Sequence, residues 1–156
     1  MSVKQLLLDY LGEVEYLVQK DVEATSEELF EKTAGESCRP ATNYMTEVGA
    51  FNAYTAKYVK DPEATGHIGV GPNPELTQVD SKRKAAIMVT KGFRDLRKTI
   101  ESMTEEDLNQ TVMAQWNEPI TKAHYIMHAL GHSMYHDGQL AFTQMLNGDK
   151  TLHWTD

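Results

Sequence analysis

The chain has 156 residues, 40 % hydrophobic and 24 % charged, enough to bury a core without disulfides or a structural metal, and its single cysteine, Cys38, excludes an internal disulfide and fits a reducing cytoplasm. The net charge of −8 argues against a nucleic-acid surface, since the densest basic residues, Lys82 to Lys84, Lys91, Arg94, Arg97 and Lys98, fall on one solvated helix face among acidic neighbours. No apolar run approaches the ~20 residues of a membrane span, and Asp9, Glu13 and Glu15 break up the apolar N-terminus, so neither a span nor a signal peptide is expected.

One domain over residues 1–156 is expected from the length. Ser2-x-x-Gln5 reads as a capping box. It opens a helix whose inward face carries Val3, Leu6, Leu7, Tyr10, Val14, Leu17, Val18 and Asp21. Thr25-x-x-Glu28 caps a short helix reaching about Lys32, and Gly35 ends it. Cys38 reads as a small filler near a loop. Pro40 suits a first helical position, and Tyr44, Glu47, Val48, Phe51, Tyr54, Thr55 and Tyr58 share one face of a second long helix that stops near Asp61-Pro62.

Residues 61–77, rich in proline and glycine, predict a long irregular connection of the kind that covers binding sites. The spacing predicts a third long helix from about Thr77 to Ser102. Its inward stripe is Val79, Ala86, Ile87, Val89, Thr90, Phe93, Leu96, Arg97 and Ile100. Thr104-x-x-Asp107 caps a short turn, and 108–117 reads as extended or looped. Glu118-Pro119 then begins a last helix running to about Asn147, with Gly148 as its stop. Four long amphipathic helices without an alternating strand imply an all-α four-helix bundle.

Four of the six histidines, His124, His128, His132 and His136, recur every fourth residue on the last helix. Residues four apart on a helix stand on one face, so a neighbouring pair can share a metal ion. All four cannot share one. At ~1.5 Å of rise per residue the outer two are separated by about 18 Å along the axis. The pairs 124/128, 128/132 and 132/136 all remain open on spacing alone. Imidazole nitrogen favours zinc, nickel, copper or iron over magnesium or calcium. A closed structural zinc site draws on several cysteines. A chain with one points instead to two or three nitrogen or carboxylate ligands with a coordination position open for chemistry.

The segment His132-Ser133-Met134-Tyr135-His136-Asp137-Gly138-Gln139-Leu140 resembles the C-terminal signature of the DinB/YfiT-like family, a His-x-x-x-His pair followed closely by Gly-Gln. Met103–Leu108 is similar to the family's turn after helix three, and Pro40–Phe51 to its start of helix two. The resemblance implies an up-down-down-up bundle, commonly a homodimer, and the lone cysteine places the protein in the cytoplasm by expectation. The resemblance implies a divalent metal, zinc or nickel, held by the pair His132 and His136 and a histidine of helix two. It also implies an activity like that of metal-dependent thiol transferases or hydrolases, with a low-molecular-weight thiol as cosubstrate and a small-molecule substrate.

Residues 40–61 contain no histidine, and Glu47 falls at the position of the third ligand. His128 and Asn52 are alternative ligands, with Asn43 behind them. His67, Tyr135, Tyr54 and Gln139 are candidates for the substrate side, as is Tyr44. Gly138 is expected where another helix or a ligand approaches closely. The rival expectation, motivated by the missing histidine, is a non-catalytic, stress-related dimeric bundle that binds metal or ligand at an incomplete site.

Overall fold

The computed structural model describes residues 1–69 and 79–155, and its four long helices follow the apolar periodicity. Helix α1 (Val3–Ala24) buries Leu7, Leu11, Val14, Val18 and Val22, while Val3 and Leu6 are exposed. Its capping box is only half formed. Ser2 Oγ accepts from Gln5 N at 3.1 Å, but the Gln5 amide donates to Asp9 instead of reaching back. Thr25 does not cap the next helix either, because its hydroxyl donates to the Asp21 carbonyl and accepts from Gln144. Ser26 caps α2 (Glu27–Glu31) in its place.

Helix α3 (Ala41–Lys60) starts one residue later than expected, with Pro40 in the extended cap position. The Asp61 backbone N–H closes it on the Lys57 carbonyl, and the Asp61 carboxylate caps α4 (Pro62–Thr65), so the connection expected to be irregular opens with a helical turn. Residues 70–77 of that connection lie outside the described residues. Helix α5 (Lys82–Ser102) starts at Ser81, whose hydroxyl caps it, and Val79 and Asp80 are not helical. Ile87 and Thr90 face out. Small Ala85, Gly92 and Thr99 join Val89, Phe93, Leu96 and Ile100 on the buried side, because this face meets another backbone at close range.

Thr104 and Asp107 form a complete capping box on α6 (Glu105–Asn109). The chain then makes a short antiparallel hairpin, β1 (Thr111–Met113) and β2 (Pro119–Thr121), with Val112 opposite Ile120. Asn117, at φ 64°, supplies the left-handed residue of the turn, a conformation asparagine tolerates. Pro119 therefore begins a strand, where a missing N–H is tolerated, and not the last helix. Helix α7 (Lys122–Leu146) is opened by the Thr121 hydroxyl, which accepts from His124 N at 3.1 Å.

The long helices pack in a ring, α1 to α5 to α3 to α7 and back to α1. Cross-links give their directions. Thr99 Oγ1 donates to the Ala56 carbonyl, joining the C-terminal halves of α5 and α3, so these two run parallel. Gln144 of α7 donates to Asp21 and Thr25 at the end of α1, another parallel pair. Glu15 of α1 pairs with Arg97 of α5, and Lys82 Nζ donates to the terminal carbonyls of α1, so that pair is antiparallel. Tyr58 of α3 packs on Tyr125 of α7 and Asn52 bonds Ser133, antiparallel again. The bundle is thus up-down-down-up.

The closest helix contact is α3 on α5. A Cβ added at Gly49 would stand 2.3 Å from the Met88 carbonyl carbon, and one at Gly92 would stand 2.3 Å from the Gly49 carbonyl oxygen. Only glycine at both positions permits this approach. No helix among the described residues is long and apolar enough to cross a membrane.

Candidate metal centre

The antiparallel pairing of α3 and α7 brings Glu47 against His132 and His136, two half-buried side chains and one buried. His132 Nε2 and His136 Nε2 are 3.2 Å apart, and Glu47 Oε1 stands 3.5 Å from the first and 3.9 Å from the second. Two donors about 2.1 Å from one ion at a tetrahedral angle are about 3.4 Å apart, so these separations suit a shared ion. All three ligand atoms lie within 4.8 Å of one another.

The surroundings orient the ligands. His136 Nδ1 bonds Gln139 Oε1 at 2.7 Å. A carbonyl oxygen only accepts, so Nδ1 carries the hydrogen and Nε2 presents its lone pair to the site. Tyr44 stacks on the His136 ring, with centroids 5.6 Å apart and planes 10° from parallel, and Phe51 meets His132 edge-on at 4.9 Å. His132 Nδ1 is buried with no hydrogen-bond partner among the described residues. The contacts with His132, then His136, together with the Arg39 guanidinium, hold the Glu47 carboxyl well below the usual carboxylate range. It is therefore an anion at any ordinary pH. Arg39 Nη1 takes Glu47 Oε2 at 2.5 Å, leaving Oε1 for the histidines.

The other candidates are engaged elsewhere. His128 packs between Phe51 and Trp116, and burial, then His132 and His124, pushes its pKa down. Asn52 is fully buried and donates to Ser133 Oγ at 3.1 Å, and Asn43 accepts from Arg39. His67 Nε2 bonds the Ala114 carbonyl in the hairpin turn at 2.8 Å. The Tyr54 hydroxyl donates to the Gly66 carbonyl and accepts from Ile68 N, bracing the segment after α4. Gln139 is the partner of His136, and Tyr135, largely exposed, meets the His136 ring edge-on.

Gly138, expected at a close approach, is exposed with nothing within 4 Å of an added Cβ. One participant, Arg39, is not among the residues the sequence singles out for the site, and Gln139, expected on the substrate side, instead orients a ligand. Arg39 stands outside the helical periodicity, so no spacing rule points to it. The role of Gln139 was legible only as a residue one turn from a ligand, a position from which an amide can reach the ring's far nitrogen.

Neither models of known protein families nor curated proteins match the sequence. Solved structures do match. A DinB-like protein of Bacillus subtilis, YjoA, superposes with a TM-score of 0.70 at 13 % identity, covering 94 % of each chain. A conserved protein of Enterococcus faecalis superposes with a TM-score of 0.74 at 13 % identity, covering 94 % of this chain and 97 % of that one. The protein is a helical bundle with the DinB-like fold, carrying a candidate metal triad of Glu47, His132 and His136.

Proposed function

We propose that the protein is a metal-dependent enzyme in which His132 Nε2, His136 Nε2 and Glu47 Oε1 hold a divalent transition metal, zinc or nickel. The observation that carries this reading is the convergence of three donor atoms at the spacing a tetrahedral ion requires, one of them oriented from behind by Gln139. Such an ion lowers the pKa of a water or thiol in its open position and makes it a nucleophile at neutral pH. The chain's own residues position it. Tyr44 and Phe51 fix the two imidazole planes, and Arg39 keeps Glu47 in one orientation. The activity is that of an S-transferase or hydrolase acting on a small molecule, with a low-molecular-weight thiol as cosubstrate, in a cytoplasmic homodimer.

Elemental analysis of untagged protein, before and after reconstitution, tests this. About one equivalent of metal is expected, lost in His132→Ala and His136→Ala and kept in His124→Ala. Persistent substoichiometric metal in the parent protein would sink the reading.

One observation favours a second reading, a non-catalytic bundle that binds metal or ligand. Arg39 already occupies one oxygen of the carboxylate that stands in for a histidine. A tightly bound ion that shows no exchangeable water or thiol in its coordination sphere would select this reading over the enzymatic one.

A further inference from the structure

Arg39 reaches the candidate site from the loop before α3. Its Nη1 donates to Glu47 Oε2 at 2.5 Å and to Asn43 Oδ1 at 3.0 Å. A guanidinium carries five N–H donors in a planar fork, and these two bonds use both hydrogens of Nη1. The three donors on Nε and Nη2 have no partner among the described residues, and the side chain is 47 % exposed. The Nε–Nη2 edge is one that pairs side-on with an oxyanion. It is pinned beside the candidate ligands, since Nη1 holds the far oxygen of the very carboxylate whose near oxygen faces His132 and His136.

Charge points the same way. A divalent ion with one carboxylate and two neutral imidazoles is left with a residual positive charge, and Arg39 adds another a carboxylate's width away. In a chain of net charge −8 this is a local reversal of sign that favours an anion. If Arg39 served only to brace Glu47, a single donor would suffice, and lysine could supply it.

From this edge and its placement we infer that Arg39 is the substrate-recognition residue of the site, and that the site takes a small anionic molecule whose oxyanion, carboxylate or phosphate, seats on the Nε–Nη2 edge while a second donor group faces the metal. The inference rests on the metal-binding reading above, and its test keeps the two apart.

The protein is loaded with cobalt(II), and the visible ligand-field bands are titrated with three thiols: mercaptoacetate, neutral 2-mercaptoethanol and cationic cysteamine. The same titrations are run on Arg39→Ala and Arg39→Lys, with inorganic phosphate as competitor. The parent protein is expected to prefer mercaptoacetate over 2-mercaptoethanol, and both to exceed cysteamine. In Arg39→Ala the ratio of mercaptoacetate to 2-mercaptoethanol affinity falls about 10-fold, and because both thiols are read on the same protein the ratio cancels any change in the metal site that loss of the Glu47 brace brings. Arg39→Lys restores only part of the ratio, since an ammonium lacks the fork. Phosphate competition in the parent that vanishes in Arg39→Ala extends the oxyanion to phosphate, and its absence restricts it to carboxylate.

An unchanged ratio between mercaptoacetate and 2-mercaptoethanol in Arg39→Ala overturns the inference and leaves the metal site standing. A parent protein that develops no ligand-field bands overturns the metal reading, and the inference falls with it.

Discussion

Replacing Gly49 by alanine sets two effects of opposite sign against each other. Alanine is the better helix former by about 1 kcal/mol in a helix interior. Its methyl group, however, would lie 2.3 Å from the Met88 carbonyl carbon, 2.4 Å from its oxygen and 2.6 Å from Val89 N. These are backbone atoms of α5, unable to rotate aside. Ordinary contact distances are restored only if the α3 and α5 axes part by roughly 1 Å, which opens the face shared by Val48, Val89, Phe93 and Leu96. Overpacking of this kind costs about 1–3 kcal/mol and occasionally more. Set against the propensity gain, the expected result is a net loss of about 1 kcal/mol, and up to about 2, in urea unfolding of the metal-free protein, followed by far-UV circular dichroism.

Gly138→Ala is the internal control. It lies in α7 with nothing within 4 Å of the added Cβ, so propensity acts alone and about 0.5–1 kcal/mol of stabilisation is expected. A Gly49 variant as stable as its parent would refute the close-packed α3–α5 contact. Because Glu47 sits two residues away on the same helix, the Gly49 variant is also expected to bind metal more weakly.

The Asp137 carboxyl is pushed up to about 7 by burial, with Asp21 adding to it, and its Oδ1 has no hydrogen-bond partner among the described residues. An acid whose folded pKa is raised contributes stability in its protonated form. That contribution is complete below about pH 4 and is lost as pH climbs to about 7, at up to about 1.4 kcal/mol per pH unit. Asp137→Asn is expected to close most of the gap between pH 5 and pH 8 stabilities of metal-free protein, and parallel pH profiles for parent and variant would contradict it. Gln139→Ala is expected to weaken zinc binding about 10- to 100-fold, measured by competition with a chelating dye, without changing metal-free stability by more than about 0.5 kcal/mol. Asn52→Ala strands nothing on Ser133, which keeps its bond to the Ala129 carbonyl, but removes a buried tie between α3 and α7. A loss of about 1–3 kcal/mol in urea unfolding is expected.

The bundle was legible from periodicity because a helix face buries every third or fourth residue regardless of its partner. Cap motifs mislead where one residue serves two elements. Thr25 resembles a cap but is occupied by Asp21 and Gln144, so the role passes to Ser26. Glu118-Pro119 resembles a helix start, yet the hairpin needs those residues and Thr121 takes over the capping. Periodicity puts Ile87 and Thr90 on the inward stripe of α5, but the face toward α3 is chosen by smallness at Ala85, Gly92 and Thr99, which a hydrophobicity pattern does not weigh.

At the candidate site, spacing alone left three histidine pairs open, and the residues after His136 narrowed them by resemblance. Glu47 came from the same comparison. Arg39 could not be read from any period, since its proximity to Glu47 depends on how the loop before α3 turns.

The three candidate ligands are divided between helices that the chain joins only by way of α4, α5, α6 and the hairpin. An ion seated among them would therefore staple α7 to its neighbour α3, at the seam next to the one where α3 and α5 are already locked by Gly49 and Gly92. Its removal would loosen one seam and leave the other. In hydrogen exchange, chelation would speed the amides of α7 around His132 far more than those of α5 around Phe93. The reagent of the chemistry would then also be the rivet of the fold.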